Sequence, residues 1–533
     1  MRFTTGVVLF LLAAAAVAKT EKTDWNTAGK AWWAHVQFLA DDKREGRNVG
    51  SAGYEAAADY VVNQFQSAGL EPGARGSYSQ PVAFTKSSLN EAKSQMTLLS
   101  ERESAAIKLG PIHLGDDALI TSSVNVSGLE APLIFVGYGL NIPEAGYNDL
   151  KDPALRGAIA VYLAGGPSDI SGDLRAHYSS GGERAAAMKA AGVVGTIAIP
   201  NPKSMDIPWT RQSANRLLPR MALAEAVSPA TGLQFSATWN PERTAPLFLG
   251  TGYQMGEILD LADRDQALPH FALQKKLQVR VATTQEKVDS RNIVGIRLGS
   301  DRLLKDEYII LSAHLDHLGV GEKVGDDGIF NGAMDDASGV ASVIEIARAL
   351  KTQKVKTKRS IIFLAVTGEE KGELGSRYFA EHPTAPGRIV ADINMDMFLP
   401  LFPLRYLEVQ GLNESTLGDD IRAVANAAHV EIQADKEPNA NRFIRSDQYS
   451  FIRKGIPALA FKFGWIPGSA EEKIFRDWYR DRYHGVADDV SQPVDLTAAA
   501  QFNAILAALL EKVADTPQVP QWKQDSFFRR FAQ

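Results

Sequence analysis

The 533-residue chain contains no cysteine. That excludes disulfides, thiolate metal sites and a cysteine nucleophile, so any metal must be held by His, Asp and Glu. An excess of positive charge is missing as well. Lys and Arg number 57 against 63 Asp and Glu, a net charge of −6, and without a basic field to track phosphates, nucleic acid is not an expected partner. No G-x-S-x-G elbow occurs, which weakens a serine-based reading. Apolar residues make up 45% and charged residues 23%. That balance sets aside a disordered chain, a collagen-like fibre and a multi-span membrane protein.

The chain opens MRFTTGVVLFLLAAAAVAKT, with Arg2 before an apolar run that ends in Ala16-Val17-Ala18, a small-x-small cleavage pattern. From Gly6 to Ala18 the run is short for a membrane span. Residues 1–18 are therefore expected to be a signal peptide. The mature protein is expected in the periplasm or outside the cell, with no lipid anchor and no stable membrane insertion.

Trp32–Ala40 and Tyr54–Ala68 carry apolar residues at helical spacing, the second stopping at Gly69. From about Tyr78 to Lys287 short β-branched runs such as Ala131–Tyr138 and Ala158–Leu163 alternate with Gly/Pro turns. One clear helix, Glu183–Ala191, leads there into a strand at Val193–Ile199. From Asn292 strands alternate with helices. Tyr308–Ala313, Ser360–Val366, Ile389–Ile393 and Ala458–Phe463 are near-continuous apolar runs, suited to strands covered on both faces. Helices are expected at Ala337–Leu350 and Leu496–Val513. The fold class is α/β: a mixed sheet with helices on both faces, plus an inserted β-rich domain. The expected divisions are 19–90 and 287–515 for the main domain, 91–286 for the insert and 516–533 for a tail packed on the main domain.

Acidic and His-containing motifs fall at or beyond the ends of these strands, where open α/β sheets form their ligand crevice. They are His314-Leu315-Asp316-His317, Asn331–Gly339 (NGAMDDASG), Thr367-Gly368-Glu369-Glu370, Asn394-Met395-Asp396, and Tyr483-His484 followed by Asp488-Asp489. Singly, each reads as a satisfied loop residue or a helix cap. Together they gather carboxylates at one sheet edge, which is costly unless cations neutralise them. Imidazole and carboxylate without thiolate suit zinc or a similar divalent metal.

The order HLDH, NGAMDDASG, GEE…LGS, NMDM, SDQYSF, YHGVADD resembles metallopeptidase family 28, the di-zinc aminopeptidases and glutamate carboxypeptidases. The likeness covers Asn292 to about Val513 and the N-terminal helices with Glu45-Gly46-Arg47 and Gly50-Ser51-Ala52-Gly53. The insert looks like a protease-associated domain. The resemblance implies a zinc-exopeptidase fold and two zinc ions per chain. His314 and Asp396 would hold one, Glu370 and His484 the other, and Asp335 would bridge them. It also implies Glu369 as general base and Asp316 as the group orienting His314. Asp488 either orients His484 or caps the last helix. Asp336 stands where relatives often have Asn, and Gln448 where many have His. Ser446 and Asp447 border the pocket, or Asp447 caps a helix.

The implied activity is release of N-terminal residues from peptide substrates. The alternatives are a carboxypeptidase or dipeptidase of the glutamate carboxypeptidase type, with Arg442 and Arg445 at the free carboxylate, and a glutaminyl cyclase. A binding protein on the same fold would lack metal ligands that are present here. The sequence leaves substrate-binding residues and oligomeric state open.

Overall fold

The computed structural model describes residues 24–100, 108–225 and 233–532; the expected signal peptide lies outside the described residues. Helix α1 (Trp25–Leu39) starts where the Asp24 carboxylate accepts the Thr27 N–H, and α2 (Ala52–Ser67) where the Ser51 hydroxyl accepts that of Tyr54. Each buries one stripe: Trp32, Val36 and Leu39 on α1, and Tyr54, Ala57, Ala58, Val61 and Phe65 on α2.

The large sheet is built from β1 (Ser79–Leu89), β2 (Arg220–Leu223), β3 (Thr283–Arg297), β4 (Glu307–His314), β5 (Ser360–Val366), β6 (Arg388–Asn394), β7 (Tyr406–Gln410), β8 (Glu431–Ala434) and β9 (Ala458–Phe463). Their order is β2-β1-β3-β5-β4-β6-β9-β7-β8, with Glu71–Pro72 paired to β3. The central run β5-β4-β6-β9 is parallel, so the carboxyl ends of four strands open on one edge. The flanking pairings of β3 with β5 and of β7 with β9 are antiparallel, which makes the sheet mixed.

The apolar runs serve both faces. Ile309, Leu311, Ala313, Ile361, Phe363 and Ala365 share a core with α1, α2, α3 (Ser338–Thr352) and α6 (Leu496–Asp515). Ile310, Ile362 and Leu364 face the other way, onto Phe379 of α4 (Leu374–Glu381) and Phe451 of α5 (Gln448–Ile452). α6 is long and apolar enough to cross a membrane, but Phe502, Leu506, Leu509 and Leu510 are spent in this core.

At Asn90 and Ala282, joined by an N–H···O bond of 2.8 Å, the chain passes into and out of a second sheet. Its strands run in the order Lys108–Pro111, Gln95–Ser100, His270–Val281, Val126–Val136, Ile159–Leu163, Gly195–Ile199, Phe235–Trp239, Ala118–Ile120. The expected single helix appears as Gly181–Ala190, but helices also form at Gly172–Ser179, Trp209–Ala214, Ala245–Phe248 and Met255–Asp263. They are too short for an apolar period to declare itself, and packing rather than propensity holds them. β2 lies within this intervening segment yet joins the large sheet beside β1. The tail packs Trp522 and Phe528 against Phe443, Ile444, Tyr449 and Ile452, and Trp522 Nε1 donates to the Gly455 carbonyl at 2.9 Å.

Candidate metal centre

Three parallel strands deliver the centre. β4 ends on His314 itself, β5 runs on to Glu369 and Glu370, and β6 runs on to Asp396. Asp335 comes from the turn before α3. There Gly332 sits at φ +62°, and a Cβ would stand 2.1 Å from the Asp335 carbonyl oxygen, so no other residue fits. His484 arrives on a loop after the helix Ala470–Asp481.

Asp335 joins two donor sets, one carboxylate oxygen to each. Its Oδ1 lies 3.1 Å from His314 Nε2, which is 3.8 Å from Asp396 Oδ1. Its Oδ2 lies 3.2 Å from His484 Nε2, which is 3.3 Å from Glu370 Oε2. Glu369 lines the same cavity of about 300 Å³. Asp335 Oδ2, Glu370 Oε1 and Asp396 Oδ1 are buried and make no well-aligned hydrogen bond. Buried carboxylate oxygens without well-aligned donors beside imidazole nitrogens fit a divalent cation of the zinc type.

The electrostatics follow. Burial opposes charge on His314, but Asp335 and Asp396 raise its pKa well above the ordinary value. Burial likewise pushes Asp335 up, yet its contacts with His314 and His484 hold it well below the carboxylate range. Burial raises Glu369 well above that range, with Asp447, Glu370 and Asp396 adding to it against His314. Glu370 ends lower despite burial, because His484 and His317 face it.

Three supporting roles differ from expectation. The group orienting His314 is the backbone carbonyl of Asp316, 3.0 Å from Nδ1. The Asp316 carboxylate instead accepts the N–H groups of Glu369 and Glu370 at 3.1 and 3.3 Å, fixing the turn that carries both acids. Asp488 neither orients His484 nor caps α6. Its carboxylate accepts Met334 N–H at 2.9 Å, Asp335 N–H at 3.0 Å and Gln492 Nε2 at 2.6 Å, while Asp495 caps α6. Asp447 stands at the start of α5, but its side chain makes no capping bond. Burial pushes its pKa up to about 7. The bonds of the Asp316 and Asp488 carboxylates join segments far apart in the chain, which no local pattern announces.

Other residues were given no role by the sequence reading. His317, fully buried, holds Nδ1 2.7 Å from Glu370 Oε1 and 3.9 Å from Asp335 Oδ2. The last letter of HLDH was its only signal. Arg47, also fully buried, donates to the carbonyls of Leu39, Leu315, Asn331 and Gly332 at 2.6–3.0 Å, binding the His314 and Asp335 turns to the N-terminal segment. Arg211, on the helix Trp209–Ala214, donates to the carbonyls of Tyr483 and Arg480, and Asn215 Nδ2 to that of His484 at 3.4 Å. The intervening segment thus holds the His484 loop by its backbone.

The model for peptidase family M28 matches residues 292–510. The segment that carries the centre is similar to the M28 peptidases. Among curated proteins, the probable leucine aminopeptidase 2 of Aspergillus oryzae is 27% identical over 273 residues, 47% of this chain and 50% of that protein. Carboxypeptidase Q of Mus musculus is 26% identical over 231 residues, 42% of this chain and 43% of that protein. The chain spans about half the length of these curated relatives, or less. The solved structure of the aminopeptidase from Aneurinibacillus sp. strain AM-1 shares the fold, with a TM-score of 0.55 at 19% identity over 93% of this chain and 97% of that one.

Asp336 and Gln448, the two residues at which the sequence reading expected a departure from the family pattern, both have defined structural roles. Asp336 is fully buried, and burial raises its pKa well above the carboxylate range. It accepts the N–H groups of His314, Gly339 and Met397 at 3.0–3.3 Å. Gln448 accepts from Asn394 Nδ2 at 2.6 Å and donates to the Phe443 carbonyl at 3.1 Å, so it ties the Arg442–Ser446 loop to β6. Ser446 accepts from the same Asn394 amide at 2.9 Å and borders the cavity.

Proposed function

We propose that this chain is an exported, zinc-dependent aminopeptidase that removes N-terminal residues from peptides. The observation that carries the reading is Asp335, with one oxygen turned to His314 and Asp396 and the other to His484 and Glu370. On that basis His314 and Asp396 would hold one zinc ion, His484 and Glu370 a second, with Asp335 available to both and His317 backing Glu370. Zinc held there supplies Lewis acidity, which polarises a carbonyl and acidifies water. Glu369 takes the proton from the attacking water and returns it to the departing amine; its burial, which raises its proton affinity, suits both halves of that shuttle. Asp316 keeps Glu369 facing the cavity while its neighbour Glu370 faces His484. The N-terminal leader pattern supports export, and the segment between β1 and β3 supplies a wall of the site through Asp206.

The carboxypeptidase alternative needs free cations for a terminal carboxylate. Arg442 and Arg445 do line the cavity, but Arg442 is paired to Glu437 at 2.7 Å and Arg445 to Asp206 at 2.9 Å. Mass spectrometry of a mixed-sequence heptapeptide, both ends free, tests the reading on the zinc-loaded chain. A ladder shortened from the amino end is expected. Shortening from the carboxyl end would replace it with the carboxypeptidase, and an intact peptide would overturn both.

A further inference from the structure

β7 and β9 lie side by side with Glu408 opposite Lys462 and Gln410 opposite Ala460. Leu407, Val409, Leu459 and Phe461 belong to the main core, so the alternate residues face the other way. There Gln410, Ala460 and Lys462 line the cavity beside Asp396. Lys462 is 5% exposed. Its Nζ donates to the Asp396 backbone carbonyl at 2.8 Å. Among the described residues no carboxylate stands within ion-pair distance of that ammonium; Glu408, directly across, lies 3.9 Å from Lys436 instead. Gln410 Nε2 is buried with no acceptor. The other cations at the cavity, Arg442 and Arg445, already have acid partners.

We propose that this corner is a subsite for a substrate carboxylate next to the scissile bond, read by Lys462 with Gln410 as second donor. The inference rests on the peptidase reading above and names its substrate class: peptides beginning with Glu or Asp. A buried ammonium with no carboxylate in direct contact, only the field of Asp396 nearby, and a buried amide without an acceptor are both unfavourable, and a ligand carboxylate relieves both. Gln410 and Lys462 are diagonal neighbours on an antiparallel pair, roughly 7–8 Å apart at the backbone, a gap that long side chains close onto one small group. The methyl group of Ala460 between them leaves the floor open. An apolar side chain would leave the donors unpaired, and a cationic one would meet Lys462 with like charge.

The simpler role for Lys462 is to position Asp396 by holding its carbonyl. That role predicts the same loss for every substrate when Lys462 is replaced, whereas a subsite predicts a change in selectivity. The test compares kcat/KM of the zinc-loaded full chain on the 4-nitroanilides of Glu, Gln and Leu. Glu is expected to exceed Gln by about 10–100-fold, as a paired charge inside a site allows. Lys462→Met should collapse that ratio to near one with zinc content retained, and Lys462→Arg should keep most of it.

A second pair, Ala-Ala against Ala-Ala amide, asks whether the carboxylate comes from the departing residue. Preference for the free acid, lost in Lys462→Met, would move the carboxylate to that side of the bond. Calorimetry with free L-glutamate and L-glutamine separates this proposal from the peptidase reading. Equal affinity on the wild-type chain overturns the subsite, whatever is hydrolysed. A glutamate preference in a chain that cleaves nothing overturns the peptidase reading alone.

Discussion

The two halves of the centre are held by different kinds of structure. His314 ends a strand hydrogen-bonded to parallel neighbours on both sides, its ring nitrogen meets the Asp316 carbonyl, and its side chain is 1% exposed. His484 sits on a loop at φ +52° with a side chain 18% exposed; from the intervening segment Asn215 donates to its carbonyl and Arg211 to those of Tyr483 and Arg480. A ligand on a sheet edge inherits the rigidity of the core. A ligand on a loop is only as well placed as the segment that docks against it.

The comparison can be broken or sharpened by substitution. Largest of all, Glu369→Gln should reduce kcat by about 10³–10⁴-fold while zinc measured by mass spectrometry stays with both halves. Loss of zinc along with turnover would mean that Glu369 belongs to the ligand set. Arg47→Met removes a buried guanidinium from four carbonyls and should cost about 3–5 kcal/mol in denaturant unfolding. It should also loosen both halves, since the His314 and Asp335 turns share that one group. Arg211→Ala is the asymmetric case. We expect one of the two proposed zinc ions to bind about 10–100-fold more weakly, the other unchanged, in a chelator titration; equal loss of both would end the comparison.

The smallest effect lies at the seam between the two sheets, where Asp173 faces Glu414 and Asp435 and burial raises its pKa to about 6. A raised carboxyl pKa means that the fold disfavours the ionised form. Its contribution is therefore intact below about pH 4 and lost as the pH rises through about 6. Asp173→Asn should then stabilise the chain by about 1 kcal/mol at pH 8, discounted for partial exposure, and by nothing at pH 4. Thermal melts at the two pH values read the difference.

Much of the centre was legible because its chemistry is local. The apolar runs at Tyr308–Ala313 and Ser360–Val366 mark strands that end where an acid or His begins, and the helical stripe of Ala337–Leu350 emerges as α3. The supports were not legible. Asp488 appears near His484 in sequence but serves the backbone of Asp335, 153 residues away. Asp316 offers its carbonyl, not its carboxylate, to His314. Arg211 lies in a stretch with no motif, 272 residues before the carbonyl it binds.

The sequence by itself determined which residue types could meet a metal and which strands would carry them, because periodicity and side-chain chemistry act over a few residues. Only the tertiary structure decided which oxygen of Asp335 faces which histidine, which groups hold the ligands still, and that Lys462 has a carbonyl but no carboxylate in direct contact. Those outcomes depend on distances between segments far apart in the chain, and packing alone sets them.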